Sequence, residues 1–254
     1  MAKRIEDLLH RRSDLSTFLV HFTSDYGGKS ANENILNILQ SGVIEARNAF
    51  GSGQRTASDD DDFQASQHVV CFTETPLEHA WMMCEEIEGR VNGFSHYALA
   101  FTKAWARSRH ANPVWYVDIS TRGGADWLMV PIHRLRDDAL AEARRDGKSL
   151  ADFPIAKILP YVEQMGPMTF GGKKEWWWER EWRHSGDFYF EWTEVVAIFA
   201  PVNEHDVLRN SLSSRRRHGA EVPPILDPEW GLERMISALR GIPASQAGPW
   251  PVYY

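Results

Sequence analysis

Apolar positions along this chain follow two rhythms, and the change of rhythm marks its elements. Short β-rich runs stand at Phe18-Leu19-Val20-His21-Phe22-Thr23, Val69-Val70-Cys71-Phe72-Thr73, Tyr97-Ala98-Leu99-Ala100-Phe101-Thr102, Val114-Trp115-Tyr116-Val117-Asp118, Phe188-Tyr189-Phe190 and Val195-Val196-Ala197-Ile198-Phe199. Helical spacing fills the gaps. Ile35, Leu36, Ile38 and Leu39 predict a helix from Asn32 to Gln40 that Gly42 stops. Further helices are expected at residues 3–12, from Thr75 to about Glu88, from Lys103 to Arg109, across 126–165 with a break at Pro154, and near 204–217 and 229–240. Thr75-Pro76-Leu77-Glu78 reads as a capping box with proline at the first helical position. Residues 51–67, with Asp59-Asp60-Asp61-Asp62, read as a mobile polar loop, and they lack the glycine and glutamate spacing of a calcium loop. The ending Pro249-Trp250-Pro251-Val252-Tyr253-Tyr254 is not expected to be regular.

Short, widely spaced strands with helical insertions favour an α+β fold over a parallel doubly wound sheet. With 254 residues the chain can bury a substantial core. The expectation is one domain over 1–254, with a helical insertion at about 126–165 and C-terminal helices at about 203–240. No glycine-rich dinucleotide fingerprint follows a strand and no phosphate-binding Gly-x-x-x-x-Gly-Lys-Ser/Thr loop occurs.

The net charge of −7, 28 basic against 35 acidic residues, argues against a general nucleic-acid coat, since such binding rests on neutralising phosphates. The compact basic spots are Arg215-Arg216-Arg217 and Lys173-Lys174. Cys71 and Cys84 are too few for a zinc site and predict buried, reduced thiols in a cytosolic protein. No apolar signal core or 18-residue apolar run is present, so no membrane association is expected. With two cysteines and no acidic cluster at metal-ligand spacing, no metal is expected. Eleven tryptophans call for core or cleft walls.

The densest chemistry lies at Glu179-Arg180-Glu181-Trp182-Arg183, after Trp176-Trp177-Trp178. If this segment is a strand, its period of two sets Glu179 and Glu181 on one face. Two carboxylates beside apolar surface are costly unless solvent, a cation or a substrate answers them. The plain alternative is an exposed strand with salt bridges to Arg180, Arg183 and nearby lysines. The other distinctive patches are His21-Phe22-Thr23 and Phe72-Thr73-Glu74.

In this order, His21, Thr73 and Glu179-x-Glu181 resemble the three strand motifs of the ADP-ribosyltransferase superfamily. A closer resemblance is to the AbiGi-type abortive-infection proteins. It rests on His21-Phe22-Thr23, Ile38-Leu39-Gln40-Ser41-Gly42, Val70-Cys71-Phe72-Thr73-Glu74-Thr75-Pro76-Leu77, Lys103-Ala104-Trp105, Asn112-Pro113-Val114-Trp115-Tyr116 and Glu179-Arg180-Glu181-Trp182-Arg183. More distantly, His21-x-Thr23, Ile38-Leu39-x-x-Gly42 and a nearby Arg47 are similar to DarT-like enzymes that modify DNA.

The resemblance implies an ADP-ribosyltransferase-like split β-sandwich of two small sheets with peripheral helices. It implies a phage-defence toxin that transfers ADP-ribose from NAD to a protein or nucleic-acid acceptor. Glu181 would stabilise positive charge developing on the ribose and Glu179 would serve the acceptor. His21 with Phe22 and Thr23, Arg47, Thr73 and Tyr97 would hold NAD, with Arg47 on the pyrophosphate. The alternatives are an NADase, and a non-catalytic antitoxin or phage-sensing module that binds a second protein.

Overall fold

The computed structural model describes residues 12–54, 56–88, 90, 93–120, 128–167, 173–215 and 221–242. The expected helix at 3–12, apart from Arg12, and the irregular ending at 249–254 lie outside these residues, as do Arg216 and Arg217 and the side chain of Lys173. The fold is α+β, as the two rhythms predict. The chain divides into two compact units, one of Met1–Val43, Phe72–Ser108 and Tyr189–Tyr254, the other of Ile44–Cys71 and Arg109–Phe188.

In the first unit, Phe18–Phe22 pairs antiparallel with Ala98–Thr102, which pairs antiparallel with Val195–Phe199. Ile225–Leu226 extends this sheet in parallel beyond Val195–Phe199, and Thr73 lies opposite Val20 on the other side. The central strand Ala98–Thr102 is apolar at successive positions, and Ala98, Leu99, Ala100 and Phe101 are all fully buried. Such a run belongs to a strand covered on both faces. Each large side chain buried this way contributes about 1.5–3 kcal/mol.

The helix Ala31–Ser41 presents Ile35 and Leu39 inward. Ser30 and Glu33 form a capping box at its start, and Gly42 ends it in the left-handed conformation at φ 70°. A Cβ at Gly42 would stand 2.7 Å from the carbonyl oxygen of Phe190, so glycine is required by both conformation and space.

The second unit holds a three-stranded sheet. Trp115–Asp118 runs parallel to Val162–Pro167, and Lys173–Lys174 pairs antiparallel with the latter. Glu181–Ser185 pairs with Asn112–Pro113, and Asn48–Ala49 with the start of His68–Thr73. The helix Met129–Asp146 packs Met129 and Ile132 with Phe63, Val117, Leu150, Leu159 and Val162 in an apolar core.

Several expectations are corrected. Residues 126–165 are not helical throughout: after Met129–Asp146 come three 3-10 turns between Leu150 and Tyr161, then the strand Val162–Pro167. Phe153-Pro154 and Leu159-Pro160 remove the backbone donors a helix needs. The polar stretch 51–67 is partly ordered as the helix Asp61–Ser66, whose cap Asp60 accepts from Phe63 N at 2.9 Å and Leu150 N at 2.7 Å. Thr75 caps nothing. The chain there forms a 3-10 turn Leu77–His79 without a side-chain cap, then the short helix Trp81–Cys84. The Thr75 hydroxyl instead accepts from Thr73 Oγ1 at 2.8 Å.

Candidate functional site

The glutamate pair does not share a strand face. The three tryptophans and Glu179 form a 3-10 turn, Trp176–Glu179, with the Trp176 and Trp178 rings meeting edge to face. Arg180 then takes a left-handed conformation at φ 50°, and the strand begins only at Glu181. The strand's period of two therefore joins a different pair. Glu181 and Arg183, two apart on Glu181–Ser185, lie on one face.

Arg183 is 2% exposed, and its surroundings explain how a charge is tolerated there. Its Nε and Nη2 donate to the two carboxylate oxygens of Glu181 at 2.7 and 2.9 Å, a bidentate fork. Nη1 donates to the Pro160 carbonyl, and the guanidinium lies 5.2 Å over the Phe50 ring. Glu163 comes within 3.5 Å of Nη2 and is itself bound by Lys174 and by the backbone N–H of Gly51 at 2.8 Å. Gly51 has φ 81°, and a Cβ there would stand 2.2 Å from the Leu159 oxygen.

The Tyr116 hydroxyl completes the cluster, donating to Glu181 at 3.0 Å. Burial is the largest single influence and would lower the Arg183 pKa, but Glu181, Cys71 and Glu163 together outweigh it and the group is pushed up. Burial and then Glu181 push the Tyr116 hydroxyl up, and likewise the Cys71 thiol. Two carboxylates and two cations thus answer one another inside the second unit. The sequence signal for Arg183 was the same alternation, applied two residues later; Glu163 gave none, because its partners are distant along the chain.

The other residues expected to hold a cofactor have the following surroundings. Thr23 is buried and bonds the Tyr97 carbonyl through both its N–H, at 2.8 Å, and its hydroxyl, at 3.2 Å. Phe22 is buried and packs on Phe94, and His21 meets the Phe72 ring edge-on at 5.9 Å. Thr73 is buried and engaged with Thr75. Arg47 is exposed and pairs with Glu45 at 2.8 Å. His21, Phe22, Thr23, Thr73 and Tyr97 belong to the first unit, whereas Arg47, Glu179 and Glu181 belong to the second.

Tyr97 has a second role that the sequence did not reveal. In the first unit, Asp25, Ser30, Asn32, Ser95, His96, Tyr97 and Glu204 line an open pocket of about 500 Å³. The Tyr97 hydroxyl donates to Glu204 Oε2, and Asn32 Nδ2 donates to the same oxygen at 2.6 Å. Burial and then Glu204 raise the Tyr97 pKa to about 12. No three His, Cys, Asp or Glu side chains among the described residues are grouped to hold a metal.

Residues 37–215 match the family described as "Putative abortive phage resistance protein AbiGi, antitoxin". The chain belongs to the AbiGi family. The match covers most of the chain, including Glu181, Arg183, Glu163, Tyr97 and Glu204, and leaves Asp25 and Asn32 outside it. No curated protein and no solved structure matches significantly. The family description corrects the expectation of an ADP-ribose-transferring toxin, because the AbiGi family is described as an antitoxin. Phage defence stands; the toxin role does not. Among the described residues no helix is long and apolar enough to cross a membrane.

Proposed function

We propose that this chain is the antitoxin of a phage-defence pair and works by binding a cognate toxin protein rather than by catalysis. The observation that carries the reading is the AbiGi match over residues 37–215. The state of Glu181 supports it. A catalytic carboxylate must be available to its substrate, and both oxygens of Glu181 are occupied by Arg183 and Tyr116. The ADP-ribosyltransferase-like sandwich and the DarT-like opening are proposals of ancestry, and an antitoxin can keep an ancestral fold without its chemistry.

The test is co-expression with the toxin of the proposed pair. The expected result is rescue of growth and a complex that survives gel filtration. In a parallel reaction with NAD, nicotinamide release should equal that of a Glu181→Gln variant. Absence of a complex, together with nicotinamide release that Glu181→Gln abolishes, would overturn the reading.

A further inference from the structure

We infer that the pocket around Glu204 in the first unit is a seat for a cationic side chain, best a guanidinium, presented by the bound partner. The inference rests on the antitoxin reading for the identity of that partner, but not for the chemistry of the pocket. Its lining carries two carboxylates, Asp25 and Glu204, against one imidazole, His96, which lies 3.7 Å from Glu229. Among the described residues neither has a Lys, Arg or His within ion-pair distance. Neutral donors hold each of them. Glu204 takes the Tyr97 hydroxyl and the Asn32 amide, both on Oε2. Asp25 takes the Ala31 N–H at 2.8 Å on Oδ1. The second oxygen of each carboxylate is not engaged by these donors.

Other ligand classes fit less well. Carboxylates repel a phosphate. The adjacent helix start does not call for an anion either, since the N–H groups of Ser30, Ala31 and Glu33 are taken by Glu33, Asp25 and Ser30. The donor set is too sparse for a metal. An apolar ligand would cover the carboxylates of Asp25 and Glu204 without answering their charge. A guanidinium has five donors in a planar fork and suits carboxylate and hydroxyl acceptors spread around an open pocket, whereas an ammonium offers a compact point charge.

Two experiments on the full chain separate this inference from the antitoxin reading. The first titrates N-acetyl-argininamide while following the backbone amide signals of Asn32, Ser95 and Tyr97. The expected result is a saturable shift, weakened about tenfold in Glu204→Gln and absent with the neutral citrulline analogue. Equal shifts with the citrulline analogue, or no loss in Glu204→Gln, would overturn the inference. The second measures the toxin complex with Glu204→Gln and, as a surface variant with little risk to folding, Asp25→Asn. Each should weaken binding about tenfold or more, and added salt should narrow the gap to wild type. If toxin binds both variants as tightly as wild type, the pocket inference fails and the antitoxin reading stands. If wild type captures no toxin but the argininamide shifts are seen, the reverse holds.

Discussion

Glu181 and Glu204 are both carboxylates fixed by a tyrosine hydroxyl, yet their surroundings differ in one respect that decides their use. Glu181 is also answered by the buried Arg183, which is shared with Glu163 and, through it, Lys174. Glu204 is answered by the neutral donors Tyr97 and Asn32 and faces an open pocket. In the second unit the charges cancel within the fold. In the first they are oriented and left for something outside. A carboxylate beside apolar surface in the sequence announces a demand for a partner, and the structure shows whether the chain supplies that partner itself.

Breaking the internal cancellation should have the largest effect. Arg183→Ala leaves Glu181 and Glu163 buried without their shared cation and should cost about 3–5 kcal/mol of stability, read as a lower midpoint in urea denaturation. Glu181→Gln keeps the shape and one acceptor but leaves the guanidinium half-answered, and about 1.5–3 kcal/mol is expected by the same measurement. Tyr97→Phe removes one neutral donor from Glu204 in a pocket open to water, so at most about 1 kcal/mol should be lost.

The smallest effect is spectroscopic. Of seven tyrosines, Tyr97 should ionise late, near pH 12, in an alkaline absorbance titration, and Tyr116 later still. The sign is that of a neutral form favoured by the fold. The Tyr97 contribution is complete below the ordinary tyrosine value near 10 and fades as pH climbs from about 10 to about 12. Glu204→Gln should bring the Tyr97 step down only in part, since burial is the larger cause.

Local features were the legible ones. The run Val195–Phe199, the stop at Gly42 and the helix at Lys103–Ser108 follow from period, backbone conformation and spacing within a few residues. The pentapeptide after the tryptophans was legible in chemistry but not in geometry. Alternation placed Glu179 beside Glu181, but the 3-10 turn and left-handed Arg180 break the alternation before Glu181. Glu163 stayed hidden because its strand was read as helix, and only pairing with Trp115–Asp118 shows it to be a strand. The Asn32, Tyr97 and Glu204 contacts join residues up to 172 apart in sequence, which no periodicity can signal.

The most direct test of the contrast sets Glu181→Gln and Glu204→Gln side by side, each measured for urea stability and for affinity to the toxin. The account predicts a crossover: Glu181→Gln lowers stability by about 1.5–3 kcal/mol and, where folded, binds toxin as wild type does, while Glu204→Gln loses at most about 1 kcal/mol and binds about tenfold more weakly. If Glu181→Gln weakens binding at unchanged stability while Glu204→Gln does neither, the assignment of the two carboxylates is contradicted.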